Sequence, residues 1–254
     1  MASGEPRVHR TAATGFVDGD RYERGRPDYP AGTLDALGIT KGTAVVDLGC
    51  GTGKFTRLLA SRGAKVIGVE PLPAMLTTFR DRCPAVPVVG GVAEALPLAG
   101  GRSDVVTCAS AFHWFDHDRA LPEVHRVLRP GGSLGIIWNR RDEIGGWPAE
   151  FWAITEAYRR GTPGYRMPAW RDALTSSPLY GDITEHWFDH VQRADIDGLL
   201  ARVASVSFIE ILPAAERAAV LDRARQFLLS HPDTKDRDVF ELPYRTVVYV
   251  APRL

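Results

Sequence analysis

The chain has 254 residues, 31 basic and 31 acidic, for a formal net charge of zero, and 44% of it is hydrophobic. That length can bury a large core as one α/β domain, and the neutral balance without a long basic run gives no electrostatic footprint for nucleic acid. Three scattered cysteines (Cys50, Cys83, Cys108) without metal spacing, no apolar run long enough for a bilayer and no apolar signal core in Met1 to Arg10 predict a soluble cytoplasmic protein.

Residues up to about Thr14 are small, polar and aperiodic, and disorder is expected there. The next stretch, Tyr22-Glu23-Arg24-Gly25-Arg26-Pro27-Asp28-Tyr29-Pro30, is too rich in aromatics and charges for a tail. It reads either as a solvated turn whose tyrosines dock on the body or as a lid segment.

The run Ala44 to Leu48 is short, β-branched and without alternation, as in a buried strand. Three glycines at alternate positions follow, and Phe55, Leu58 and Leu59 then recur at helical spacing. Gly49, Gly51 and Gly53 therefore sit in a strand-to-helix turn where a ligand can approach the backbone closely. A dinucleotide fingerprint would need glycine at Lys54, and a phosphate loop would need glycine at Leu48 and Ser or Thr at Phe55. What remains is D-x-G-x-G-x-G from Asp47 to Gly53. This pattern resembles motif I of class I S-adenosylmethionine (SAM) methyltransferases, in the methyltransferase type 11 and ubiquinone-biosynthesis-like group.

The resemblance implies SAM as cofactor and S-adenosylhomocysteine as product, with Asp47, Gly49, Gly51, Thr52 and Gly53 around the cofactor. The Tyr22 to Pro30 segment, written Y-x-x-x-R-P-x-Y-P, resembles the N-terminus of a subgroup that includes trans-aconitate methyltransferase-like small-molecule enzymes. It implies that Tyr22 and Arg26 close over SAM, with Arg26 as partner for its carboxylate.

Lys65 to Glu70 is a second apolar strand ending in an acid, at the interval expected for a ribose-binding carboxylate. Pro71 adjoins it. Leu72, Met75, Leu76 and Phe79 then mark an amphipathic helix whose start places Met75 beside the adenine. A third strand, Val86 to Val89, leads to Gly90-Gly91-Val92-Ala93-Glu94-Ala95-Leu96-Pro97. Relatives usually carry an Asp where Val92 stands, so adenine recognition is left to backbone groups near Val92 and Ala93.

The fourth strand, Asp104 to Ala109, opens into Ser110-Ala111-Phe112-His113-Trp114-Phe115, at the carboxyl edge where ligands of open α/β sheets bind. Ala109 and Ser110 are expected at the cofactor, His113 and Trp114 at the acceptor. This segment resembles the subgroup's A-x-H-W-F. His113 is the candidate general base, with Tyr22 and Glu23 as lesser ones, and a loop-bonding histidine is the competing reading. His113 and His117 lack a third ligand, and no metal is expected.

A helix over Leu121 to Leu128 stops at Arg129-Pro130-Gly131-Gly132, and Ser133 to Trp138 forms the fifth strand. Asn139, Arg140, Arg141 and Asp142 either line the acceptor pocket or form a solvated loop. Beyond lie a helix (Phe151 to Arg160), a loop (Gly161 to Pro168), a strand (Glu185 to Arg193) and two amphipathic stretches. The chain closes with an antiparallel strand, Phe240 to Val250, in which Pro243 needs an edge or bulge position. Trp147, Trp152 and Trp170 read either as core or as the walls of an aromatic acceptor pocket.

The fold expected is α/β: a Rossmann-like, seven-stranded, mostly parallel sheet with helices on both faces, the last strand antiparallel and a helical cap inserted before it. The reading divides one domain into a lid (1–35), a SAM-binding core (40–142) and a substrate cap with the last strands (143–254). The activity implied is methyl transfer to a small-molecule acceptor, with no nucleic-acid or membrane partner and the oligomeric state open. No Asn/Asp-Pro-Pro-Tyr/Phe follows the fourth strand, which argues against methylation of DNA bases. A non-catalytic SAM-binding module and an NAD-dependent oxidoreductase are the alternatives, the latter opposed by the glycine register.

Overall fold

The computed structural model describes residues 8–16, 18–141, 145–159, 161–164 and 166–254. Asp142, Arg160 and Tyr165 lie outside this set.

Seven strands form one sheet in the order β3-β2-β1-β4-β5-β7-β6. They are β1 Ala44–Leu48, β2 Lys65–Val69, β3 Val88–Val89, β4 Ser103–Ala109, β5 Leu128–Arg141, β6 Thr184–Ala194 and β7 Phe240–Pro252. The first five pair in parallel, while β7 runs antiparallel between β5 and β6. The last strand is thus next to the edge, and β6 is the edge. Pro243 pairs with Val191 on β6, but pairing with β5 ends at Tyr244. The proline therefore sits where β7 has one neighbour, and its missing N–H costs no ladder bond on the open side.

The helices are α1 Arg10–Gly15, α2 Gly19–Gly25, α3 Gly32–Ala36, α4 Lys54–Ser61, α5 Pro73–Arg82, α6 His117–Val127, α7 Gly146–Glu156, α8 Ala169–Ser176, α9 Ile196–Ala204, α10 Ser207–Glu210 and α11 Ala214–Ser230. Local chemistry fixes several starts. The Asp18 carboxylate accepts from the Arg21 N–H at 2.8 Å ahead of α2, and Asp195 accepts from the Gly198 N–H at 2.7 Å ahead of α9. Proline opens α5, and Arg80 and Arg82 occupy its last turn, where cations suit the helix dipole.

Strand alternation splits the core between the two sheet faces. Val46, Val106, Ile136 and Val247 point to one face, against Leu121 and Val124 of α6 and Trp170 and Leu174 of α8. Val45, Val105, Ile137 and Val248 point to the other, against α3 and against Phe55 and Leu59 of α4. A separate cluster joins Trp147, Phe151 and Trp152 of α7 to Leu199 and Val203 of α9, to α11 and to the start of β7. Helices α9, α10 and α11 form the expected insertion before β7.

Of the stretch expected to be disordered through Thr14, residues 1–7 lie outside the described set, and from Val8 on the structure has an ordered lead into helix α1. Ala12 is buried, and the backbone at Gly15 leaves no room for a Cβ against Ser207 of α10. The helix is held by packing to a distant segment, which local composition does not report.

Candidate active site

Two adjoining cavities open along the carboxyl edge of the parallel strands. The larger spans about 740 Å³, counting the space that opens to solvent. Its floor is Gly49 and Gly51, one wall runs from Glu70 through Pro71 to Met75, and Val92 and Ala93 close the far end. The smaller, about 510 Å³, lies behind Gly51, Thr52 and Arg26. Tyr22, Gly49, Gly51, Ala109 and Ser110 line both, so the two spaces meet at the end of β4.

The glycine turn has the conformation its sequence demands. Gly49, Gly51 and Gly53 have φ of +65°, +56° and +87°. A Cβ on Gly49 would lie 2.6 Å from the Ala111 Cβ, whereas one on Gly51 would meet nothing within 4 Å and would project into the cavities. Gly53 lines neither cavity; it caps α4, packed against Phe79 and Cys83. Its role here is to turn the chain.

Glu70 ends β2 facing that turn. Its carboxylate accepts the Gly51 N–H at 3.0 Å and the Leu72 N–H at 3.0 Å, and burial pushes it up to about 7 against the relief those two donors give. A carboxylate beside a glycine turn at this edge suits the vicinal hydroxyls of a ribose.

Asp47 is not placed to touch a ligand. Alternation turns it to the same face as Val45, where its oxygens accept from Thr56 at 2.5 Å and Thr107 at 2.9 Å. It is wholly buried and lines neither cavity, so it ties β1 to β4 and to the first turn of α4. Burial raises it to about 6.

The N-terminal segment covers the edge. Tyr22 lies edge-on to Phe16 and beneath the Arg26 guanidinium, 4.8 Å from its ring centroid. Arg26 donates to the Ser205 hydroxyl and, at 2.6 Å, to the Ser205 carbonyl, joining this segment to the end of α9. Glu23 lies outside both cavities, its carboxyl committed to Thr52, Arg57 and Lys54. It braces the glycine turn and, lying outside both cavities, is not placed to act as a base on a ligand in them.

His113 lines neither cavity. Its Nδ1 accepts the Trp138 indole N–H at 3.4 Å, and burial, with Arg26 next in effect, pushes its pKa down to about 3. Indole can only donate, so the neutral ring carries its proton on Nε2. A ring protonated there, with so low a pKa, is a hydrogen-bond donor and not the general base expected from sequence.

Of the residues expected at an acceptor, Trp114 lines the larger cavity and packs on His9 and Phe16. Asn139 reaches the smaller one while its amide donates to the Asp28 carbonyl at 3.0 Å and its carbonyl accepts from Thr246. Arg140 stacks over Trp187 and faces a different depression beside Trp138 and Trp170. Trp147 and Trp152 belong to the core of the insertion, and Trp170 to the core under α8. The tryptophan-walled pocket is therefore not formed by these three; the aromatic surface comes from Phe16, Tyr22, Trp114 and Phe115. Trp170→Ala is expected to cost about 3–5 kcal/mol of stability with S-adenosylhomocysteine affinity unchanged within about twofold, readable by denaturant unfolding and calorimetry.

Among the contributors that sequence reasoning missed are His9 and Phe16 around α1, Phe115, and Arg202 on α9, which lines the smaller cavity. Among the described residues there is no cluster of His, Cys, Asp or Glu that could hold a metal ion. No helix among them is long and apolar enough to cross a membrane.

Residues 46–136 match the methyltransferase domain family. An uncharacterized methyltransferase of Mycobacterium tuberculosis (strain ATCC 25618 / H37Rv) is 41% identical over 226 residues, 89% of this chain and 90% of that protein. A solved structure described as a type II methyltransferase of Anaeromyxobacter dehalogenans is 25% identical with a TM-score of 0.62, covering 90% of this chain and 96% of its own. The phosphoethanolamine N-methyltransferase 2 of Haemonchus contortus, solved with S-adenosyl-L-methionine, shares the fold at 17% identity and a TM-score of 0.51, over 87% of this chain and 51% of its own. A glycine turn, a ribose-suited carboxylate and a cavity lined by both thus stand in a chain that matches a methyltransferase along nine-tenths of its length. The chain belongs to the class I SAM-dependent methyltransferases.

Proposed function

We propose that this methyltransferase transfers the methyl group to a small-molecule acceptor by in-line displacement. The observation that carries the reading is the junction of the two cavities over Ala109 and Ser110, closed by Tyr22 from the N-terminal segment and walled by aromatic rings. SAM supplies an activated methyl on its sulfonium. The residues of this chain then supply alignment and exclusion of water, worth up to about 7–11 kcal/mol in ideal cases.

In this reading Glu70 takes the ribose hydroxyls, and Pro71, Met75, Val92 and Ala93 hold the adenine. Gly49, Gly51 and Thr52 pass the cofactor's backbone, and Arg26 takes its carboxylate. Residues 1–35 act as a lid, 40–142 as the cofactor core, and 143–254 as a cap with the closing strands. The aromatic faces of Phe16, Tyr22 and Trp114 suit a planar or apolar acceptor and a neighbouring sulfonium. His113 lies outside both cavities and is held neutral, so an acceptor that is already nucleophilic fits better than one needing His113 as its base.

Incubating the protein with methyl-labelled SAM and a panel of small aromatic and organic-acid acceptors tests the reading, with labelled product expected from at least one. SAM bound without product across the panel would favour a non-catalytic SAM-binding module. The role of His113 is separately readable by NMR: its ring signals, assigned with His113→Asn, are expected not to titrate between pH 5 and 8. A midpoint at 6–7 would restore the general-base role.

A further inference from the structure

Arg202 carries a cation into the site with no use for it so far. It stands on α9 at 6% exposure, and its Nε donates to the Tyr244 hydroxyl at 3.3 Å. Its Nη1 is buried without a hydrogen-bond partner, yet the side chain lines the smaller cavity. Arg26, from the N-terminal segment, lines the same cavity, held by Ser205. Among the described residues no Asp or Glu lines this cavity, and the hydrogen bonds of Arg26 and Arg202 go to Ser205 and Tyr244 and not to an acid, with Arg202 5.3 Å from the Trp152 ring centroid. The two cations repel: Arg202 follows burial as the cause that lowers Arg26 to about 10. A buried cation without counter-charge is strongly unfavourable unless something in the cavity supplies one.

We propose that Arg202 and Arg26 form a carboxylate-binding site that joins the N-terminal segment to the insertion before β7. The guanidinium fork matches the two oxygens of a carboxylate, and the cavity adjoins Gly49, Gly51 and Thr52, so the anion sits at the glycine turn. This rests on the methyl-transfer reading, which brings two sources of such a group: the amino-acid end of the cofactor, and an acidic acceptor. In either case the ligand ties α9 to the Tyr22–Arg26 segment, so the insertion reads the contents of the site directly.

The test is calorimetry on the full chain with S-adenosylhomocysteine, with 5′-methylthioadenosine, which lacks the carboxylate, and with malonate added to protein saturated with S-adenosylhomocysteine. If the carboxylate is the cofactor's, Arg202→Met weakens S-adenosylhomocysteine at least tenfold and leaves 5′-methylthioadenosine within twofold. If it is the acceptor's, both nucleosides are unchanged, and malonate binds the wild-type complex but not the variant's. The proposal is overturned if Arg202→Met leaves all three unchanged, if it weakens both nucleosides equally, or if inorganic phosphate and not malonate binds through Arg202. Should Arg202→Met fail to fold, Arg202→Lys keeps the charge, loses the fork and carries the same comparison with a smaller loss. A wild-type protein that binds neither nucleoside would sink the methyl-transfer reading and this site together; binding insensitive to Arg202 sinks this site alone.

Discussion

Glu70→Ala is expected to cost the protein its grip on S-adenosylhomocysteine. Two charge-assisted hydrogen bonds to a ribose, at about 1.5–3 kcal/mol each, make a loss of roughly 100-fold or more the expected outcome by calorimetry. The same residue sets a pH dependence. Burial holds Glu70 at about 7, so the free protein is half protonated at that pH, and the ionised form is the one whose two oxygens each keep a lone pair, beside their N–H donors, to accept from the hydroxyls. Binding selects that form, and affinity is expected to rise by about tenfold from pH 6 to pH 8. Glu70→Gln should flatten that rise. Stability of the free protein runs the opposite way. A carboxyl raised in the folded state from 4.5 to about 7 contributes stability that is present below pH 4.5 and lost as pH rises through 7. Thermal unfolding should accordingly show S-adenosylhomocysteine protecting more strongly at pH 8 than at pH 6. A flat profile, or an unchanged affinity in Glu70→Ala, would remove Glu70 from the ribose.

Gly51→Val is the second large effect, and it separates binding from folding. At φ +56° a β-branched residue is strained by about 1–2 kcal/mol, which for a chain of this size lowers Tm by roughly 2–8 °C. Its side chain would project into the cavities, where a Cβ meets no protein atom within 4 Å. A folded protein with no detectable S-adenosylhomocysteine binding is therefore expected. Gly49→Val should behave differently, because its Cβ would strike the Ala111 Cβ and damage the fold itself. Normal binding by Gly51→Val would mean that the cofactor does not pass over this turn.

Much of the sheet was legible because its signals are local. Ala44–Leu48 and Lys65–Val69 are β-branched runs that end in a glycine turn and an acid, and open α/β sheets place ligands at those ends. Gly51 and Glu70 meet there as the spacing implies. Asp47 was legible in kind but not in direction: it shares a face with Val45, and that face belongs to α4. Trp147, Trp152 and Trp170 stay open between core and pocket wall in the sequence because abundance says nothing about direction, and the structure places all three in the core. Trp170 meets Trp138 at 4.6 Å and Tyr249 at 4.9 Å across strands far apart in sequence. His113 required its tertiary surroundings to be seen: the Trp138 indole fixes its tautomer, and burial lowers its basicity. Helix α1 and Arg202 depend wholly on tertiary contact, through Ser207 and through Tyr244 and the smaller cavity.

The most direct test of the account is a calorimetric titration of the wild-type protein at pH 8 with S-adenosylhomocysteine and, in parallel, with NADH. The account predicts one molecule of S-adenosylhomocysteine bound per chain and no heat from NADH. Binding of NADH with none of S-adenosylhomocysteine would contradict it.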